Sequence, residues 1–347
     1  MITAVSVNKR ILASIIALSL ATLLIWWFWP SSNDASKTLP QDKQQVFKFE
    51  RLDLALKSTD TLNEAQLQSI RDQYGEIFTT YIENIISLCS IQDPALLTKL
   101  NNFLRDAYID SLFTDVRNSY EQSAAMEQEL NNALSYFYYY FPEAPKYRMI
   151  GMVGAFQYKH ALTDSGLLFG LDLHLGSQYR FYPKVRFLNN YMLPKLSKEY
   201  MVAEGIKLLL DDLVPPLNKE QLLEEMVRAG KILYLTEACM PALPDSILLG
   251  FSSAQTQWAQ ENERSMWEYL VKDDLIFSSD PKVISRFMSE GPFTPGLPEG
   301  SPARLATFTG WRMVVRWMEK NPTMTKQDLM QVPASDLLKQ SGYKGKS

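Results

Sequence analysis

The apolar residues of this chain change period twice, and that constrains the fold more than any other feature. Leu67, Ile70, Tyr74, Ile77, Phe78, Tyr81, Ile82 and Ile85 recur at helical spacing. Over residues 147–156 and 167–175 the runs become short, apolar and punctuated by glycine, which suits two sheet strands. From Asn218 onward the helical spacing returns. Helices, a small sheet and helices again indicate an α+β domain, mostly α-helical, with helices flanking the sheet.

Local signals place the elements. Thr61-x-x-Glu64 reads as a capping box. Asp93-Pro94 reads as an N-cap with proline at the first helical position, ahead of a stripe of Leu97, Leu100, Leu104 and Ala107. A third helix is expected over 120–141, stopped by Pro142, and its aromatic end, residues 136–141, reads as core packing. Residues 46–56 suit a short strand or an ordered lead-in. Later helices are expected over 218–238, 253–272, 281–290 and 309–320, with a last short one opened by Thr325-x-x-Asp328.

The first thirty residues bear on the compartment. Lys9-Arg10 precede an uncharged run over 11–29, followed by Pro30 and a polar turn. At 1.5 Å rise per residue this run reaches about 28 Å, close to a bilayer core. The basic residues should stay cytoplasmic, and Trp26, Trp27 and Trp29 suit the outer headgroup interface. A cleaved signal peptide is the competing reading, but no small-x-small site follows the run, which favours an uncleaved anchor. The expected organisation is a signal anchor or transmembrane helix over 1–30, a polar tether over 31–45 and a globular domain over 46–347. That places the domain in the periplasm, held at the inner membrane. A net charge of −4 argues against nucleic-acid binding, which needs clustered Lys and Arg.

Chemistry is sparse. The two histidines, His160 and His174, stand fourteen residues apart, whereas H-E-x-x-H enzymes need two one helical turn apart. His174, in an expected strand, reads as a hydrogen-bonded or surface residue. Glu224-Glu225-Met226-Val227-Arg228 echoes the zinc motif with Glu and Arg at the ligand places and Glu225 where the general base would stand. It equally suits a solvated helix face with an i,i+4 pair. Glu261, Glu263 and Glu268 share one expected helix and read as a solvated face rather than a cation site. No Gly-x-Ser-x-Gly elbow occurs, Gly166 and Gly170 make no phosphate loop, and Ser278 and Ser279 beside Asp280 look like a cap before Pro281. Cys89 and Cys239 are the only thiols. They suit two ordinary buried cysteines or one disulfide. Neither a metal nor a cofactor is expected.

The stretch 230–317 orders large aromatics, glycines and acids in a fixed pattern. With its flanks it carries Gly170-Leu171-Asp172-x-x-Leu175-Gly176, Gly230-Lys231-x-Leu233-Tyr234, Trp258-x-x-x-Asn262-Glu263 and Trp267. Phe277-Ser278-Ser279-Asp280, Arg286-Phe287, Gly291-Pro292-Phe293, Gly310-Trp311-x-x-Val314-Val315 and Leu337-Leu338-x-x-Ser341-x-Tyr343-Lys344 follow. By these residues, from Phe49 to Lys344, the chain resembles the GldB gliding-motility lipoproteins of Bacteroidetes.

The resemblance implies a cell-envelope protein needed for surface gliding, with no assigned enzyme activity. It also implies a distant similarity to predicted zinc-protease domains whose H-E-x-x-H stands where Glu224 to Arg228 stand here, hence a degenerate zincin-like fold. One departure is the lipid-bearing cysteine of the family, where this chain has Trp-Pro-Ser-Ser. Either a transmembrane anchor replaces the lipid, or the start site is misassigned and the protein is an outer-membrane lipoprotein. Two function classes follow. One is a non-catalytic factor binding proteins of a motility or secretion assembly; the other is a membrane-anchored, peptidase-like hydrolase using Glu225 or the Glu261 to Glu268 cluster. The scarcity of histidine favours the first. Trp258, Trp267 and Trp311 are expected to pack the C-terminal core, with Trp258 and Trp267 on opposite sides of one helix.

Overall fold

The computed structural model describes residues 39–345, and a compact unit begins at Asp42. The expected anchor over 11–29 lies outside the described residues. Among the described residues, no helix is long and apolar enough to cross a membrane.

Strand β1 (Phe49–Arg51) runs straight into α1 (Leu52–Leu56). There follow α2 (Glu64–Tyr74) and α3 (Glu76–Thr80), the latter continued by a π-helical turn, then α4 (Leu96–Arg105), α5 (Ala107–Ser119) and α6 (Ala124–Tyr140). β2 (Arg148–Met152), β3 (His160–Thr163) and β4 (Gly166–Gly170) complete a four-stranded sheet ordered β1-β2-β4-β3. β1 and β4 lie parallel to β2, and β3 and β4 form an antiparallel hairpin around Asp164-Ser165. The C-terminal part comprises α7 (Lys198–Leu213), α8 (Leu222–Cys239), α9 (Asp245–Leu249), α10 (Ser253–Glu261), α11 (Glu263–Lys272) and α12 (Pro281–Met288). It ends with α13 (Leu305–Lys320), α14 (Lys326–Gln331) and α15 (Ala334–Ser341). The helix–sheet–helix order agrees with the α+β expectation.

All five residues of β4 are buried, because both faces of that strand are covered. Alternate side chains point opposite ways along a strand. Gly205 of α7 packs on Phe169 and Leu167, while Ile77 of α3 lies against Gly166. This explains the near-continuous apolar run in β4.

Several boundaries differ from the sequence expectation. The cap of α2 is Asn63 with Gln66, each side chain bonding the other's backbone N–H, rather than Thr61 with Glu64. Asn101 fixes that point by accepting the N–H of buried Leu62. Asp93 holds the N–H of Ala95 in a turn, and α4 begins only at Leu96. Past Arg105 the stripe ends, because Asp106 turns the chain and caps α5 through the N–H groups of Tyr108 and Ile109. The expected helix over 253–272 is two helices. Asn262, at φ −102° and ψ 8°, ends α10 before α11 starts, and its side-chain amide donates to the Trp258 carbonyl at 2.8 Å.

The most extensive helix pair is α8 on α13. It is a backbone contact. A Cβ on Gly310 would stand 1.9 Å from the Met226 carbonyl oxygen, and one on Gly230 2.3 Å from the Gly310 carbonyl carbon. Only glycine at both places permits this approach. Beside it Leu233, Leu249, Phe251, Leu305, Phe308 and Trp311 build a second core, distinct from the main one that spans sheet and helices.

Candidate functional site

The hairpin, the turn after β4 and helix α7 bring three separated side chains together. His160 lies on β3, His174 ends the 3-10 turn Leu171–His174, and Glu204 lies on α7. Their ligand-capable atoms all fall within 4.8 Å of one another, and among the described residues this is the one such group of three His, Cys, Asp or Glu. His174 is fully buried. Its Nδ1 sits 2.9 Å from the Gly170 carbonyl, an oxygen that only accepts, so Nδ1 carries a proton and, in the neutral ring, Nε2 bears the lone pair. That Nε2 has no hydrogen-bond partner and stands 3.6 Å from Glu204 Oε2. His160 repeats the arrangement in the other tautomer. Its Nε2 lies 3.0 Å from the Met201 carbonyl, and its Nδ1 lies 4.0 Å from the same Oε2.

Lys159 holds the carboxylate from outside, its Nζ 2.9 Å from Oε1 and 3.1 Å from Oε2. Burial opposes charge on Glu204, yet its neighbours, the Lys159 ammonium foremost, keep its pKa well below the ordinary 4.5. At 3.6 Å the His174 approach is too long for a hydrogen bond, so Lys159 carries most of that effect. Burial, then the neighbouring His174, pushes His160 down to about 3, so its ring is neutral at pH 7. One turn along α7 from Glu204, Lys207 is pushed down to about 8 by burial and donates to the Leu248 carbonyl.

Asp172 stands beside this group. It is completely buried, and burial raises its pKa to about 6 against the opposing pull of N–H groups. Its carboxylate accepts the N–H of Gly154 at 3.0 Å and of Phe156 at 2.6 Å. Ala155 and Phe156 both have positive φ, 50° and 67°, so Asp172 secures a strained loop after β2.

The other sequence candidates are apart from this cluster. Glu225 is half-buried in the first turn of α8. The cleft of about 280 Å³ along that helix is lined by Glu224, Arg228 and Lys231, without Glu225. Arg228 reaches back to the end of α7, bonding the Asp211 carboxylate at 2.5 Å and the carbonyls of Asp211, Val214 and Pro215. The helix break at Asn262 separates Glu261 from Glu263 and Glu268. Glu261 is exposed and accepts from Gln257, Glu268 is exposed and pairs with Arg264, and Glu263 is buried. Both cysteines are free thiols, and burial pushes the Cys239 thiol far up.

Residues 33–345 match the family described as gliding motility protein GldB. The chain belongs to that family. No curated protein and no solved structure matches it.

In this GldB-family chain the motif positions are fasteners. Besides Asp172 and the Gly230–Gly310 crossing, Gly176 turns the chain at φ 103°. Buried Lys231 donates to the Met330 and Val332 carbonyls at 3.0 and 2.7 Å, tying α14 to α8. The Tyr234 hydroxyl accepts from Lys326, and Asp280 caps α12 ahead of Pro281. Glu263 accepts from Tyr343 at 2.9 Å and from Arg312 at 3.2 Å. Trp267 stacks edge-on to Tyr343, and buried Trp311 donates to Glu237. Trp258 departs from the core expectation. It is half-buried and lines an open apolar cavity of about 240 Å³ with Met266, Tyr269, Phe287 and Leu305. The break at Asn262 removes the continuous helix that would have buried both tryptophans.

Proposed function

We propose that this chain supports gliding motility as a non-catalytic envelope protein that acts by binding proteins of the motility or secretion machinery. Its domain stands in the periplasm, held at the inner membrane by residues 11–29 through the polar segment that follows. The fold is a degenerate relative of the zinc proteases, with α8 as the former metal helix. Family membership across 33–345 supports the motility role. The observation that carries the non-catalytic reading is Arg228. It stands in the second ligand place and is spent on the end of α7, where its charge would repel a metal at that position.

The test is complementation. In cells lacking the protein, Glu225→Gln should restore gliding as fully as the wild type does, and in-cell crosslinking should capture envelope proteins with either form. Loss of gliding in Glu225→Gln, at unchanged abundance and together with loss of a peptide-hydrolysing activity of the wild type, would establish the peptidase instead. Mass measurement of the native protein tests the anchor. A mature N-terminus near Ser31 or beyond would refute it, and a lipid on the mature chain would place the protein among the lipoproteins.

A further inference from the structure

We infer that His160, His174 and Glu204 form a binding site for a divalent transition metal such as zinc, separate from α8 and its zinc-motif echo. Each imidazole spends its N–H on a backbone carbonyl, His160 on Met201 and His174 on Gly170. That is the arrangement by which outer partners orient metal-bound histidines. It turns the remaining ring nitrogens, both lone-pair bearers, toward one carboxylate oxygen at 4.0 and 3.6 Å. Two ring nitrogens and an anionic oxygen then face each other, and only Lys159, from outside the group, donates to that oxygen. A buried acceptor without a partner is costly, and His174 Nε2 is such an atom. A cation at the centre satisfies both ring nitrogens and shares the carboxylate with Lys159.

The donor set suits the chemistry. Two imidazoles and one carboxylate are the ligands of open zinc and iron(II) sites. Bonds of about 2.0–2.2 Å to a tetrahedral ion put ligand atoms about 3.4 Å apart, against separations of up to 4.8 Å here, so closure needs movements of about 1.4 Å at most. Glu204, at 22% side-chain exposure, supplies part of that freedom, and the two rings close the rest by pivoting on their carbonyl bonds. Lys159 orients the carboxylate and brings positive charge close to the ion. The fourth position therefore suits an anionic ligand or hydroxide, entering on the Glu204 side. Bound there, the metal would tie β3, the turn after β4 and α7 into one unit.

The test uses the full chain purified in detergent, stripped with a chelator and titrated with Zn²⁺ alone. One equivalent should bind. His160→Gln and Glu204→Gln should each weaken binding by more than about 100-fold, beyond the usual loss from removing an outer partner. Glu225→Gln should leave it unchanged. X-ray absorption of the zinc-loaded wild type should show two imidazoles per metal, a readout that stands even where a ligand variant fails to fold. Failure of the wild type to retain zinc overturns the site. So does zinc binding that survives the loss of His160 and Glu204, or a spectrum without imidazole ligands.

Discussion

The α8–α13 pair and the sheet with α7 hold their elements together by opposite means. In the helix pair two backbones touch through Gly230 and Gly310, and nothing at the crossing can move aside. Against the sheet, Gly205 meets the ring of Phe169 at 2.7 Å from an added Cβ, and a ring can shift. The polar groups differ likewise. Around α8 and α13 they are paired and spent, as with Lys231, Glu263 and Arg228. Between sheet and α7, one buried acceptor stays open. A rigid crossing with closed polar accounts suits a scaffold, and a yielding contact with an open acceptor suits a site.

Substitution at the two glycine contacts gives the largest expected effect. Gly310→Ala should lose more than about 3 kcal/mol of stability, because the clash is with backbone, and Gly310→Val should fail to accumulate. Gly205→Ala should lose clearly less, as read by thermal melting of purified variants. The reverse order would break the contrast. Next come the tryptophans. Trp267→Ala and Trp311→Ala should each cost about 3–5 kcal/mol, as truncation of a buried tryptophan does. Trp258→Ala, at the cavity wall, should cost less than about 2 kcal/mol. A Trp258 variant as unstable as the other two would return that residue to the core.

Smaller effects sharpen the picture. Lys231→Met keeps the stem but strips donors from the Met330 and Val332 carbonyls, and should cost about 1–3 kcal/mol in denaturant unfolding. The sheet side offers a pH test. The Arg148 guanidinium bonds Glu50 across β1 and β2 and holds its carboxyl below the ordinary 4.5. A lowered folded pKa stabilises above the unfolded value and is lost as pH falls through the folded one. Wild-type stability should therefore drop on acidification below about pH 4.5, and Glu50→Gln should flatten that part of the profile while costing about 1 kcal/mol at pH 7. An unchanged acid profile in Glu50→Gln would remove this pair from the account.

What the sequence made legible follows the same division. The helices around Gly230, Asp280 and Gly310 could be read because apolar spacing, caps and prolines are local signals. The family motifs belong to that half for the same reason. The His160, His174 and Glu204 group was not legible, since its members meet only through strand pairing. The four-residue β3 gives almost no periodic signal of its own. Helix α7, in a segment left unassigned, could have been found from Met201, Val202, Gly205, Ile206, Leu209 and Leu210, spaced as a buried helical stripe. Even so, no spacing rule would have joined Glu204 to two histidines on other elements. The break at Asn262 has no such signal, because the backbone leaves helical geometry there, at φ −102° and ψ 8°, while the apolar pattern continues.

The parallel pairing of β1 with β2 governs the order in which this domain can be completed. Phe49 meets Met149 and Arg51 meets Gly151, so about a hundred residues must be made and folded between the partners. Closing so long a loop is entropically expensive until the helices between the strands have collapsed, and such distant pairings form late. The first strand of the domain is thus the last seam to shut during biosynthesis. Until then the edge of β2 that β1 will cover lies open to any other extended chain, so the interval before that pairing is a time when this protein needs shielding.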